Sequence, residues 1–394
     1  MNTMKNNQID AETSDQERIV RAVERATGSK FRAGNQCTVL QNGDEIFPAM
    51  LQAIRGAKVS VEFLTYVFWR GSVASEFADA LSERARAGVD VRLLLDAAGG
   101  ATIGARTVWL LERAGVRVEW FRPGRFKYIR QLNHRTHRKI LIVDGSVAFT
   151  GGVGIADEWR GSAQDKKHWR ETHCRIVGPA VIDMHRGFAD SWLETTGVRL
   201  EIPEPAAHKS DISVHTTIST SGDAGPTDME RLFMAVIKGA RHRLWITTAY
   251  FVPSEYYVCA LVAAAGKGVD VRILTNGNLS NHKLALLAGR ASYSRLLDAG
   301  VKIYEYQKTV LHAKVMTADR CYATIGSTNL DDRSLVLNDE LNVSVTDTGV
   351  VGALDLKFLK DLKESKHIRS THWYQRGWVN QLAERGSSVF RGQL

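Results

Sequence analysis

Long apolar runs are missing from this 394-residue chain. No stretch reaches the ~18 residues that a membrane-spanning helix needs. Cysteine is scarce: Cys37, Cys174, Cys259 and Cys321 stand far apart and form no CxxC pair. That excludes a disulfide framework and a cysteine-ligated zinc site, and leaves reduced thiols in a cytoplasmic protein. HExxH and Asp-rich metal loops are also missing, so no metal and no other cofactor is expected. Residues 1–16 are polar with mixed charge and lack the apolar core of a secretory signal. The sequence therefore predicts a mobile polar arm over 1–28. Proline is sparse as well. Three of the seven, Pro203, Pro205 and Pro226, fall in one stretch rich in Ser, Thr and Ala, which reads as a linker over 203–226.

What remains is ordinary for a folded protein, with 44% hydrophobic and 24% charged residues in a length that allows two core-forming lobes. The formal net charge is +9, with basic residues dense over 122–139 and 357–376. Such a balance speaks about partners, not fold. It fits an anionic membrane surface or nucleic acid.

One short string occurs twice. His137-Arg138-Lys139 is followed by Asp144, and His312-Ala313-Lys314 is followed at the same spacing by Asp319. Both read His-x-Lys-x4-Asp, and each leads into a Gly-containing turn, Gly151-Gly152 or Gly326-Ser327. With 12 histidines in the chain, and Lys and Asp at about 5–6% each, chance supplies about 0.04 such strings. The halves match elsewhere too. Gly88-Val89-Asp90-Val91-Arg92 returns as Gly268-Val269-Asp270-Val271-Arg272, and Ala114-Gly115-Val116 as Ala299-Gly300-Val301. Apolar runs at 59–68 and 244–251 open two series of alternating strands and helices. The fold expected is α/β: two similar lobes, 29–202 and 227–394, each a mixed β-sheet with a mainly parallel part, flanked by helices. A pseudo-two-fold axis would relate them, with the active site between.

On a strand, residues two apart share a face. His137 and Lys139 are thus expected to point one way, as are His312 and Lys314. Asp144 and Asp319 have the opposite parity and are read as structural residues that fix the following turn. Two facing His–Lys pairs suit a phosphodiester. One neutral imidazole attacks phosphorus, the other exchanges a proton with the alcohols, and the lysines neutralise the non-bridging oxygens. A nucleophilic His needs its other nitrogen held, and Glu171 and Glu340, downstream of the two motifs, are candidates. Ser327 and Asn329 add donors for phosphate oxygens. Tyr66, Phe68, Trp69 and Arg70 end one apolar strand; Tyr250, Phe251, Tyr256 and Tyr257 lie at or past the end of its counterpart. All are cleft-mouth, interfacial or core candidates, Tyr66 and Tyr250 foremost. Trp373, Tyr374, Trp378 and Phe390 stand among basic residues near the end, where the segment either enters a headgroup layer or docks on its own lobe.

The duplicated motif resembles the hallmark of the phospholipase D superfamily, over nearly the whole chain. Within it the chain is most similar to bacterial cardiolipin synthases of the short type without N-terminal membrane spans. Supporting stretches are Gly34-Asn35 with Asn42-Gly43-Asp44, residues 54–66, Phe149-Thr150-Gly151-Gly152, Trp169-Arg170-Glu171-Thr172-His173 with Gly178-Pro179-Ala180-Val181, and Asp361-Leu362 with Ser365, Trp373 and Arg376. The resemblance implies His137 as nucleophile, His312 as general acid/base, Lys139, Lys314 and Asn329 on phosphate, and Glu171 and Glu340 orienting the histidines. It implies a phosphatidyltransferase making cardiolipin from phosphatidylglycerol, cytoplasmic and peripheral to the inner face of the membrane. Phospholipid hydrolysis to phosphatidic acid, or a nuclease activity, is the alternative. One residue departs from the pattern: Gly154 stands where such synthases carry Asn.

Overall fold

A computed structural model of the chain describes residues 2–123, 133–204, 209–221 and 225–375, with side chains from residue 14 onward. Its centre is one 15-stranded sheet, running β17-β12-β11-β9-β13-β14-β16-β8-β1-β7-β6-β5-β2-β3-β4. The first half contributes β1 (Arg32–Gln41), β2 (Ser60–Thr65), β3 (Asp90–Asp96), β4 (Arg117–Phe121), β5 (Ile140–Val143), β6 (Val147–Gly151) and β7 (Thr172–Val177). The second contributes β8 (Ile212–Ser219), β9 (Arg243–Thr247), β11 (Asp270–Asn276), β12 (Lys302–Tyr306), β13 (Val315–Ala318), β14 (Tyr322–Gly326), β16 (Glu340–Val345) and an added edge, β17 (Ser365–Ile368). Read outward from the β1–β8 seam, the two orders mirror each other. β2, β3 and β4 run parallel, as do β9, β11 and β12, and the strands around the motifs are antiparallel. The duplication in sequence is thus a duplication in space, fused through one backbone ladder. A separate pair, β10 (Phe251–Val252) and β15 (Leu330–Asp331), joins two loops of the second half.

Period-two alternation divides the core between the faces of the sheet. In β3, Val91, Leu93 and Leu95 pack on one side with Phe47, Phe77 and Leu111 of α2 (Asn42–Gly56), α3 (Ser72–Arg86) and α4 (Ala105–Arg113). Leu94 faces the other side, where Met184, Phe188 and Trp192 of α5 (Val181–Thr196) share a core with Val351 and Leu354 of α10 (Thr348–Lys363). That second core takes strands from both halves and holds the lobes together. In the second half, α6 (Asp228–Gly239), α7 (Glu255–Gly266) and α9 (Tyr293–Asp298) cover β9 and β11, while α8 (Lys283–Arg290) packs beside β10. A capping box starts α6: the Thr227 hydroxyl accepts from Glu230 N–H while the Glu230 carboxylate accepts from Thr227 N–H.

Two expectations about organisation need correction. Residues 2–27, expected as an arm without structure, form a helix, α1 (Asn2–Thr27), that docks through its second half. Its Ile19 and Val23, one turn apart, are fully buried in the second lobe's core beside α6. Burying two such side chains stabilises this docking by about 1.5–3 kcal/mol each. The stretch expected to link the lobes contains β8, which pairs with β1 on one side and β16 on the other. Its sequence, Ile-Ser-Val-His-Thr-Thr-Ile-Ser, looked like linker by Ser/Thr content, yet five of its eight residues are β-branched strand formers. Residues 205–208 and 222–224 of that stretch lie outside the described residues, as do 124–132 of the first basic run and 376–394 with Arg376, Trp378 and Phe390. Trp373 of the short α11 (Ser370–Trp373) is buried against Tyr293 and donates to Ser294 Oγ, so this part of the tail docks on its own lobe.

Candidate active site

Each motif's His-x-Lys triplet lies just before its strand and not on it: β5 begins at Ile140 and β13 at Val315. A backbone hook to the opposite lobe holds each triplet. His137 N–H donates to Asp339 C=O at 2.9 Å, and His312 N–H donates to Arg170 C=O at 2.7 Å. The residue after each hook acceptor is the glutamate that holds the same histidine. His137 Nδ1 lies 2.9 and 3.1 Å from the two oxygens of Glu340, and His312 Nδ1 lies 2.7 Å from Glu171 Oε2. The carboxylates therefore orient the imidazoles crosswise, each reaching from one lobe to the other's motif. Both glutamates are fully buried.

A carboxylate presents only lone pairs, so each imidazole gives it the Nδ1 proton and keeps a lone pair on Nε2. Lys314 Nζ also lies 3.1 Å from His312 Nδ1. One nitrogen cannot donate to Glu171 and accept from Lys314 together. The ammonium instead donates to His312 C=O, as Lys139 Nζ donates to His137 C=O at 2.7 Å. Burial pushes His137 down to about 4 against the pull of Glu340, with Lys139 and Lys314 adding to the shift. Burial and the two lysines hold His312 well below its ordinary value. The lysines are strained in the same sense: burial takes Lys139 down to about 7 and Lys314 to about 8, opposed by the glutamates. Burial raises Glu171, whereas His137 and Lys139 bring Glu340 below the usual carboxylate range despite its burial. With both imidazoles neutral, two lysines stand against two carboxylates, so the site has no fixed anion to spare, and an arriving phosphodiester favours the charged lysines and a protonated imidazole.

His137, Lys139 and His312 line one cavity of about 370 Å³, at the small end of ligand pockets. The two motif imidazoles thus open onto the same pocket. Tyr66 and Tyr250 line it as well; Tyr66 stands edge-on to His137 at 5.4 Å and under Lys139 Nζ at 5.5 Å. Trp69 is on the wall, Arg70 and Tyr256 are exposed, and Phe68, Phe251 and Tyr257 are core. Asn329 lines the cavity, but Ser327 does not. The Ser327 hydroxyl is fully buried and donates to Glu340 Oε2, so its place is behind the carboxylate and not on phosphate. Asp144 and Asp319 stay out of the site. Asp144 accepts from the N–H groups of Lys58, Val59 and Ser60; Asp319 accepts from those of Arg241, His242 and Arg243. Each ties its own turn, at a left-handed φ of 50° or 48°, to the start of a neighbouring strand, a wider task than fixing the turn that follows.

Sequence reasoning missed the aromatic wall around His312. Trp159 and Trp169 sit 5.2 and 5.5 Å from its ring, and Trp159 Nε1 donates to Glu171 Oε2 at 3.2 Å. It missed Arg138 as well, the variable residue of the first motif. Its buried guanidinium donates to Gly187 C=O, Ser191 Oγ, Ser219 C=O and Thr220 Oγ1, bracing the two lobes. Nothing but burial distinguishes Arg138 from a surface arginine, and burial is not visible in one sequence. The departure at Gly154 has a steric cause: a Cβ there would come within 2.7 Å of Val67 Cβ and 3.0 Å of Trp159 Cζ3.

The family model described as cardiolipin synthase, PLD-like domain, matches residues 50–163 and 233–362. The chain belongs to that family. A probable cardiolipin synthase of Bacillus subtilis is 33% identical over 385 residues, 96% of this chain and 76% of that one. Cardiolipin synthase 2 of Bacillus cereus is 34% identical over 374 residues, 94% and 73% of the two chains. Among solved structures, a phosphatidylserine synthase of Haemophilus influenzae superposes with a TM-score of 0.75 at 14% identity, covering 96% of this chain and all of that one. A polyphosphate kinase of Porphyromonas gingivalis gives 0.57 at 13% identity, covering 85% and 49%. At these identities both neighbours speak for the fold alone. Among the described residues no helix is long and apolar enough to cross a membrane, and no cluster of His, Cys, Asp and Glu could hold a metal ion.

Proposed function

We propose that the chain is a phosphatidyltransferase that makes cardiolipin and glycerol from two phosphatidylglycerols. The observation that carries the reading is the crosswise pairing of two imidazoles with buried carboxylates around one cavity, in a member of the cardiolipin synthase family. In the first half-reaction His137 Nε2 attacks phosphorus, the bond from phosphorus to the glycerol oxygen breaks, and His312 gives that oxygen a proton. In the second, the hydroxyl of another phosphatidylglycerol loses its proton to His312 and attacks phosphorus. The phosphorus–nitrogen bond breaks and His137 is restored. Lys139 and Asn329, on the cavity wall, hold the non-bridging oxygens as charge builds, and Lys314, buried behind His312, adds its positive charge from the second layer. The order of the histidines follows the family resemblance. The lipid tails exceed a cavity of this size, so they remain in an anionic leaflet that the basic chain meets from the side.

Product analysis tests this directly. Purified protein on phosphatidylglycerol vesicles is expected to yield cardiolipin and glycerol. Phosphatidic acid as the sole product assigns hydrolysis, and cleavage of DNA without lipid turnover overturns the reading. Rapid quenching of the unmutated protein during turnover of phosphatidylglycerol is expected to trap a phosphatidyl adduct on His137, seen by mass spectrometry, and an adduct on another residue would reassign the nucleophile.

A further inference from the structure

The scaffold is symmetric but the cavity is not. Thr65 Oγ1 donates to Val67 C=O and Thr248 Oγ1 to Tyr250 C=O, which sets Val67 and Tyr250 in equivalent places. The turns after β6 and β14 align from Gly151 and Gly326 onward, so Gly154 answers Asn329, Ala156 answers Asp331 and Trp159 answers Ser334. At every one of these four pairs the first lobe is apolar and the second polar. Around the phosphate-facing Tyr66, Arg135 and Lys139, the first lobe's wall is built of Val67, Trp69, Trp159 and Trp169; the second's is mainly Tyr250, Asn329, Asp331, Ser334 and Asn338, with Ala285 beside them.

Two residues on the polar wall are not absorbed by the chemistry at phosphorus. Asp331 is 1% exposed, and its Oδ1 accepts from Ser334 N–H at 2.7 Å. Asn338 is 6% exposed, and its buried Oδ1 has no hydrogen-bond partner. A buried acceptor left unmatched is costly, and a hydroxyl donor arriving with substrate would match it. Both groups offer acceptors, so the ligand they fit is a donor. Arg135, Lys139 and Arg333 line the same cavity, which disfavours a cationic amine headgroup and favours a neutral polyol. Burial pushes the Asp331 carboxyl up to about 7; protonated or not, it keeps an acceptor oxygen.

We propose that the second lobe's wall is a headgroup subsite, in which Asp331 and Asn338 accept hydrogen bonds from the hydroxyls of a glycerol headgroup. This rests on the phosphatidyltransferase reading and adds to it the residues that select the alcohol. The first lobe's aromatic wall is left to the apolar glycerol-ester end of the lipid.

The test compares two donors in vesicles, phosphatidylglycerol and phosphatidyl-n-propanol, which lacks headgroup hydroxyls. Its readout is the ratio of their kcat/KM values, which is insensitive to the fraction of protein folded. The full-length protein is expected to favour phosphatidylglycerol by about tenfold or more. Asp331→Asn keeps an oxygen for Ser334 N–H and replaces the other with an amino group; Asn338→Ala removes an acceptor without touching the backbone. Each is expected to bring the ratio down about tenfold. A ratio unchanged within about twofold in both variants, whatever happens to overall activity, assigns them a structural role and overturns the subsite alone, as does an unmutated ratio near one. Failure of the unmutated protein to turn over phosphatidylglycerol removes the enzymatic reading, and the subsite with it.

Discussion

Glu340→Gln tests the crosswise pairing. Glu340 is fully buried, accepts from His137 Nδ1 at 2.9 and 3.1 Å and takes the Ser327 hydroxyl. A hydrogen bond to a charged group contributes about 1.5–3 kcal/mol, and at ~1.36 kcal/mol per decade its loss alone slows attack about 10–150-fold. The amide adds a second fault. Its NH2 group can turn toward Nδ1, which then accepts, and the ring proton moves to Nε2, the atom that must attack. Hydrolases whose orienting carboxylate is made an amide lose about 10⁴-fold by this route. A loss of about 10³-fold in formation of the phosphatidyl-enzyme is therefore expected, with the fold intact. Single-turnover mixing with vesicles, read by intact-protein mass spectrometry, measures that step. A variant within about threefold of the unmutated rate would refute the assignment of Glu340 as the orienting group.

Asp319→Ala is expected to lower stability by about 2–4 kcal/mol and Asp144→Ala by less, because the Asp319 side chain is fully buried and also pairs with Arg18 at 2.9 Å, whereas Lys58 and Val59 at Asp144 are exposed; equal midpoints in urea would contradict this. Burial holds His215 at about 4, between Thr27 Oγ1 at 3.0 Å and Thr217 Oγ1 at 3.3 Å. The unfolded chain takes up this proton near pH 6.5 and the folded one only near 4, so the imidazole's contribution falls by about 3 kcal/mol as pH drops through that window. His215→Gln should lose less stability than the unmutated chain between pH 7 and 4.5, and parallel melting curves would refute the argument. Gly154→Asn is expected to destabilise by about 1–3 kcal/mol through collision with Val67 and Trp159, with partial recovery in Val67→Gly, which removes the Cβ in contact; thermal melts of the single and double variants decide it.

The parts legible in the sequence were those written twice. The twin motifs, the two Gly-Val-Asp-Val-Arg strings and the Ala-Gly-Val turns marked the two-lobed α/β fold, because a duplicated pattern supplies its own control. Glu171 and Glu340 were legible as carboxylates trailing the motifs, but not their crossing, since a linear order says nothing about which lobe's histidine lies nearer. What failed was composition read as conformation. A polar arm hid Ile19 and Val23, which match α6 only when wound as a helix. A Ser/Thr-rich seam hid β8, whose alternation makes sense only beside β1 and β16. Ser327 was misplaced for a related reason: a hydroxyl beside a motif looks like a ligand for substrate until Glu340 is seen to take it first.

The crossing has a consequence for how such a site is built. Each lobe carries a histidine and a lysine but takes the histidine's carboxylate and its backbone hook from the other, through Asp339 C=O and Arg170 C=O. Neither half is therefore a complete catalytic unit, and the continuous ladder through β1 and β8 with the core shared by α5 and α10 fixes both imidazoles at once. Fusion in one chain then frees the walls to differ. Two identical lobes would have to carry the same residue at both equivalent positions, whereas here Gly154, Ala156 and Trp159 correspond to Asn329, Asp331 and Ser334. On the proposed mechanism the symmetric parts hold phosphorus, where two similar half-reactions must pass through one centre. The asymmetric parts face the groups attached to it, which are not alike.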